Sequence, residues 1–177
     1  MNISPVYDGA PAGASGKAAA VFALLDELGI SYTRVEHDHA DTMDDCVAVG
    51  EALGAPLCKN LFLTNRQQTS FYLLLMPGDK PFHTKDLSAQ IESSRLSFAA
   101  PEQMESLLGT PPGSASALGL MNDTEKRVTL LIDRDVYQAE YLACHPCDNT
   151  GSLRIRTDDF LRVFLRHTGH SPRLVRL

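Results

Sequence analysis

Three places in the chain combine residue types that could act on a substrate. The first is Lys59, inside the apolar run Leu57-Cys-Lys-Asn-Leu-Phe-Leu63. As a β-strand, with side chains alternating between faces, this run sets Leu57, Lys59, Leu61 and Leu63 on one side and Cys58, Asn60, Phe62 and Thr64 on the other. Each face then carries one polar group among apolar ones. A lysine on an inward face is costly unless its ammonium reaches a partner or a ligand. Lys59 therefore either meets one or lies near a sheet edge and extends to water. The second place is the loop Gly109-Thr-Pro-Pro-Gly-Ser-Ala-Ser-Ala-Leu-Gly119. Its glycines allow close approaches that can aim backbone N–H groups at a carbonyl or an oxyanion, although composition alone favours a structural turn. No Gly-Lys-Ser/Thr follows, so it is not a nucleotide phosphate loop. The third is His145, in Cys144-His-Pro-Cys147, which either lines a pocket or ends a strand.

A Cys-x-x-Cys pair enclosing a histidine raises zinc and redox chemistry. No second close pair exists, since Cys46 and Cys58 are twelve residues apart, and a zinc site needs four ligands at short spacing. Reactive dithiols sit at helix N-termini, whereas this pair follows a strand-like segment. No metal is expected, and Cys46 and Cys58 read as small buried apolar residues. His37-Asp38-His39 reads as a solvated loop, and His167 and His170 as basic residues beyond a last helix. Six arginines between Arg154 and Arg176 form a solvated face or a phosphate-binding patch, of which the first is the safer expectation.

These residues need elements to position them. Residues 1–14, rich in Pro, Gly and Ala, read as a flexible tail. Ser15 caps a helix with apolar residues from Ala18 to Leu28, stopped by Gly29. Ile30–Val35 alternates as a short strand, and Thr42 with Asp44 and Asp45 opens a helix ending at Gly54. Leu57–Thr64 and Phe71–Met76 form a hairpin around Asn65–Ser70, the second strand apolar on both faces and hence central. Short helices follow at Asp86–Ile91 and Pro101–Leu108, the latter with proline in its first turn. Strands are expected at Val128–Ile132, Ala139–Ala143 and Ser152–Ile155, and a helix at Thr157–His167. The whole reads as one mixed α/β domain over residues 15–172, with a short tail at 173–177.

Composition limits the partners. The chain has 177 residues, 44% of them hydrophobic, and a net charge of −6. That suits a globular domain, and an acidic balance argues against broad, phosphate-driven binding to nucleic acid, DNA included. The charge is uneven, with nine Lys or Arg against seven Asp or Glu in residues 125–177 and seven against fifteen before them. No apolar run is long enough to span a bilayer and Met1–Gly16 lacks the form of a signal peptide, so a cytoplasmic protein is expected.

The three places recur together, and in this order, in a known family. Cys58-Lys-Asn-Leu-Phe-Leu63, Gly109-x-x-Pro-Gly-Ser-x-Ser-x-x-Gly119, Asn122-Asp123, His145-Pro-x-x-Asn-Thr150 and Phe164-Leu-x-x-x-Gly-His170 resemble the YbaK/prolyl-tRNA-synthetase-associated editing domains. The resemblance covers about residues 17–172 and is strongest to the free-standing, ProX-type deacylases. It implies an α+β fold in which a mixed, curved β-sheet is surrounded by helices. It also implies hydrolysis of alanine from mischarged alanyl-tRNA(Pro), with prolyl-tRNA synthetase as a further partner and no cofactor. Its alternatives are action on another small aminoacyl-tRNA, such as seryl-tRNA, or a binding module without turnover. By the same resemblance Lys59, Asn60, Gly113 and Ser114 would be catalytic, while Phe62, Pro112, Ser116 and His145 would hold the substrate. Ala117-Leu118 stands where relatives often have Pro-Phe, a departure that would reshape the pocket wall.

Overall fold

The computed structural model describes residues 1–177. Two sheets form its frame. In one, four antiparallel strands run in the order β1 (Tyr7–Asp8), β2 (Tyr32–Glu36), β8 (Gly151–Arg156) and β7 (Tyr141–Cys144). In the other, the order is β5 (Ser97–Phe98), β3 (Cys58–Thr64), β4 (Phe71–Pro77), β6 (Val128–Asp133) and β9 (Arg173–Val175). β5, β3 and β4 pair antiparallel, whereas β4, β6 and β9 run parallel. The sheets touch through one parallel bridge, Leu57 with Ala143, and do not close. The architecture is the expected α+β domain, with its β-structure divided between two sheets.

Local chemistry sets the boundaries. Helix α1 (Gly16–Glu27) buries Val21, Phe22 and Leu25. Helix α2 (Met43–Leu53) begins with a capping box, in which the Thr42 hydroxyl accepts from the Asp45 amide and the Asp45 carboxylate accepts from the Thr42 amide. Such a cap stabilises a helix by about 1 kcal/mol, and Gly54, at φ +67°, ends it in the left-handed region. Helices α3 (Thr84–Gln90) and α4 (Pro101–Leu108) follow, then a 3₁₀ segment (Ala117–Asn122) and α5 (Arg134–Gln138). The final helical run comprises α6 (Thr157–Asp159), a π-helical turn (Phe160–Phe164) and α7 (Leu165–Thr168). No helix is long and apolar enough to cross a membrane.

The core has three parts. A cluster of 27 buried residues joins α1, α4 and the final helix to one face of each sheet. The opposite face of the five-stranded sheet packs Leu63, Leu74, Met76 and Leu131 against Leu87 and Ile91. Beneath α2, Val49 and Leu53 meet Val35, Leu57 and Ala143. β4 is central, as its two apolar faces require. The chain ends differ from expectation: Tyr7–Asp8 pairs with Thr33–Arg34, and Arg173–Val175 pairs with Leu131–Asp133. Local composition reads these segments as loose, but each satisfies backbone groups at a sheet edge.

His170 holds the last helix to the loop before β6. Its Nε2 lies 2.9 Å from Asp123 Oδ2, both side chains are almost fully buried, and the same carboxylate accepts from the amides of Arg127 and Val128. Removing one of the three donors to this buried carboxylate costs about 1–3 kcal/mol. His170→Ala should accordingly lower unfolding stability by about that amount, measured as a reduced urea midpoint at unchanged slope.

Candidate active site

β3 delivers two polar side chains to one cleft from opposite faces. Asn60, on the side of the main core with Cys58 and Phe62, accepts from the Ala117 amide through Oδ1 at 2.9 Å and donates from Nδ2 to the Cys58 carbonyl at 3.1 Å. It thereby ties the strand to the start of the 3₁₀ segment. Lys59, on the other side, donates from Nζ to the carbonyl of Lys80 at 2.9 Å. The ammonium of Lys80 is itself held by both Asp133 oxygens, at 2.9 and 3.0 Å, and by Asp135 at 2.8 Å. Asp133 is fully buried and also accepts from the amides of Asp135 and Leu177. The lysine anchor is therefore fixed from β6, and Lys59 spends one of its three N–H groups on it.

The Gly/Pro loop forms a tight turn. The Ser114 amide donates to the Pro111 carbonyl at 3.1 Å, with Pro112 and Gly113 between them and Gly113 at φ +82°. Proline followed by a residue at positive φ is the type II pattern, which favours glycine in that place. Ser114 is thus buried with its amide already used. The amides of Gly113 and Ala115 donate to no group in the chain, and both residues line the cleft. Ser116 is fully buried; its hydroxyl donates to the His145 carbonyl at 2.6 Å and accepts from the Leu118 amide at 3.1 Å.

The cleft has a volume of about 330 Å³. Of the residues expected from the sequence, Lys59, Asn60, Phe62, Pro112, Gly113 and His145 line it together. Ser114 and Ser116 lie behind the wall and hold the loop in place. Ala117 and Leu118 are fully buried and do not line the cleft either, so the departure there alters packing behind the wall. Sequence reasoning missed Ala40, Met43 and Cys46 on one side and Phe98, Pro101 and Met104 on another. These apolar residues carry no pattern that separates a cleft wall from a core.

His145 is buried, and its Nδ1 lies 2.9 Å from the Gly151 carbonyl and 3.0 Å from Ser152 Oγ. Burial holds its pKa below the ordinary imidazole range, so the ring is neutral at pH 7. His37, read from the sequence as part of a solvated loop, is buried against Ser152 instead. Cys144 and Cys147 are both free and buried. Burial pushes the Cys58 and Cys147 thiols up to about 12 and the Cys144 thiol upward as well, which disfavours the thiolate that redox or metal chemistry needs. The C-terminal arginines are dispersed: Arg154 lies over the Tyr141 ring, Arg162 pairs with Asp158, and Arg173 reaches the carbonyls of Gln90 and Ile91.

The sequence pattern of the aminoacyl-tRNA editing domain matches residues 37–163, a span that includes every residue lining the cleft. The chain belongs to the aminoacyl-tRNA editing domain family. It is 31% identical over 144 residues to the prolyl-tRNA editing protein ProX of Acetoanaerobium sticklandii, covering 81% of this chain and 88% of the relative. It is 30% identical over 151 residues to the prolyl-tRNA synthetase associated domain-containing protein 1 of Danio rerio, covering 84% and 81%. In fold it is similar to a candidate trans-editing enzyme for prolyl-tRNA synthetase, with a TM-score of 0.68 at 17% identity over 93% of this chain and 99% of that one. As an editing domain, the chain is a hydrolase of aminoacyl-tRNA esters.

Two outcomes follow from the site's construction. The depressed pKa of His145 means that the unfolded chain takes up a proton as pH falls below about 6.5 while the folded editing domain resists it. Stability should be intact above that pH and decline as pH falls through the folded-state pKa, and His145→Gln should flatten this part of a melting-temperature profile. Gly113→Ala meets no clash, its nearest neighbour being Asn149 Nδ2 at an ordinary contact distance of 3.8 Å. It would nevertheless place a Cβ at positive φ, at a cost of about 1–2 kcal/mol, visible as a lower melting temperature.

Proposed function

We propose that this editing domain acts in trans, in the cytoplasm, to hydrolyse alanine from mischarged alanyl-tRNA(Pro). The observation that carries the proposal is the surface of the cleft. Lys59 lines the cleft together with Gly113 and Ala115, whose backbone amides are engaged by no group in the chain, and most of the other lining residues are apolar. Such a space can hold an aminoacyl ester with a small side chain and stabilise the charge that develops on its carbonyl oxygen. The resemblance to a prolyl-tRNA editing protein supports the choice of tRNA.

A separate site of this kind answers a physical need. A synthetic site that differs for two amino acids by one or two methylenes gains only about 1–3 kcal/mol of discrimination. Alanine is smaller than proline and enters wherever proline fits. A second, narrower site that admits alanine and sterically rejects proline restores accuracy, and the rigid Pro112–Gly113 turn and the Phe62 ring supply walls of that kind.

The geometry supports the following roles. The Gly113 and Ala115 amides bind the oxyanion of the tetrahedral intermediate, the task assigned from sequence to the Gly113–Ser114 pair, because the Ser114 amide is used within the turn. Lys59, with two N–H groups to spare, binds the terminal phosphate or the ester carbonyl. Asn60 holds the loop that presents the amides. His145 closes the pocket, and prolyl-tRNA synthetase supplies the mischarged tRNA.

The test is deacylation of alanyl-, seryl- and prolyl-tRNA(Pro) by the wild type and by Lys59→Ala. Alanine should be released and proline retained, with kcat/KM for alanine reduced by about 10²–10³ in the variant, as for loss of one oxyanion donor. Release of serine in place of alanine would keep the activity and change the substrate. Turnover of none of the three would leave a binding module.

A further inference from the structure

The most exposed large apolar side chain in the molecule sits on the rim of the cleft. Five of the seven phenylalanines are buried, but Phe98 is 63% exposed, and it lines the cleft. In the pairing of β5 with β3 it stands opposite Leu63, and residues directly opposite on paired strands share a face. Phe98 therefore lies on the same side of the sheet as Leu63, Leu61 and Lys59. The Phe82 ring meets it with centroids 6.4 Å apart and planes at 69°. Phe82 and Leu61 are themselves packed against the cluster that contains Leu63. An edge-to-face contact occupies one face of a ring at most, so Phe82 steadies Phe98 and leaves a flat aromatic surface in solvent.

Packing does not account for that surface, because a ring left in water forgoes the stabilisation that burial would give it. Its position along β3 does. From Lys59 to Leu63 is four residues, about 13 Å of strand at roughly 3.3 Å per residue. An alanyl group whose ester lies at Lys59 and the Gly113 and Ala115 amides is too short to cover that distance. The rest of the substrate, the unpaired 3′ end of the tRNA, has to leave the cleft across its rim. We propose that Phe98, steadied by Phe82, is the platform on which a base of that unpaired 3′ end stacks. The proposal rests on the editing reaction proposed for this cleft and adds a binding residue to it.

Two grips on one face of β3 then fix how far the ester enters the cleft. The Lys59 ammonium holds a phosphate or the ester carbonyl, and the Phe98 ring holds a base nearer the rim. Every base has a π-face, so such stacking is tolerant of sequence. Phe98 accordingly adds affinity for the 3′ end and takes no part in choosing the amino acid. The stacked base is the same in the bound substrate and in the transition state. Its contribution therefore belongs in KM, with kcat untouched. A side chain this exposed also contributes little to the fold, and replacing it should leave stability within the range of ordinary surface substitutions.

The experiment is steady-state deacylation of alanyl-tRNA(Pro) by wild type, Phe98→Ala, Phe98→Leu and Phe98→Tyr, with melting temperatures for each. Beside it, uncharged tRNA(Pro) carrying 2-aminopurine at its terminal or its penultimate position is titrated with wild type and Phe98→Ala. Leucine keeps the apolar bulk without a π-face, so it separates stacking from simple hydrophobic contact. Expected is a KM raised about 5- to 100-fold in the alanine and leucine variants, as for loss of one base–aromatic stack. Phe98→Tyr should stay close to wild type, and kcat should not change in any variant. Wild type should quench 2-aminopurine at one of the two positions, which identifies the base, and Phe98→Ala should not. An unchanged KM in Phe98→Ala, a KM restored by leucine, or no quenching by wild type at either position would overturn the inference, while release of alanine by wild type keeps the editing function. A wild type that releases no alanine would remove the functional proposal, and the inference with it.

Discussion

The arrangement depends on how two sheets that do not close are kept in contact. They meet through a single bridge between Leu57 and Ala143, and the polar groups next to that seam cannot be left unpaired in a dry interior. Asn60 spans from β3 to the 3₁₀ segment, and Ser116 joins that segment to the His145 carbonyl just beyond β7. Each bond crosses between elements that sequence alone would not place side by side. The cleft is what remains when these crossings are satisfied and the gap between the sheets is not filled.

A second constraint acts on β3 itself. A strand inverts its facing at every residue, so a site built on consecutive positions must draw on both faces. Asn60 serves one face with Phe62, and Lys59 serves the other, beside Leu61 and Leu63 of the second cluster. The cost of an ammonium near that apolar cluster is offset by the Lys80 carbonyl, and the Lys80 ammonium is in turn offset by a fully buried Asp133. The support of the Lys59 ammonium therefore runs from the cleft through the Lys80 backbone to an ion pair at the end of β6.

Much of this was legible in the chain, and the exceptions have causes. α2, the β3–β4 hairpin and α4 were readable because a capping threonine, a polar turn and an early proline mark them locally. The sequence motifs placed Lys59, Asn60, Gly113 and His145 in one site, and the cleft gathers them. The edge pairings of Tyr7–Asp8 and Arg173–Val175 were not readable, since their partners are remote in sequence and the segments are too short to show a period. α5 was missed because its five residues, Arg134–Gln138, show no apolar stripe. His37 escaped for a related reason: its burial depends on Ser152, 115 positions away. Ser114 and Ser116 sit within the correct motif, but only turn geometry reveals which of the loop's amides are already engaged.

The strands at the sheet margins have a bearing on how this protein behaves in a crowded solution. β1 and β5 have two residues each, β9 has three and β7 four, and β7 is partly covered where it meets Leu57. Unpaired strand margins are templates on which another chain can add a strand, and short ones offer too few consecutive donors and acceptors to hold it. The segments that look most expendable, Tyr7–Asp8 and Arg173–Val175, shield the longer strands β2 and β6. Their contribution is colloidal as much as thermodynamic, because they keep one copy of the domain from zipping onto the next.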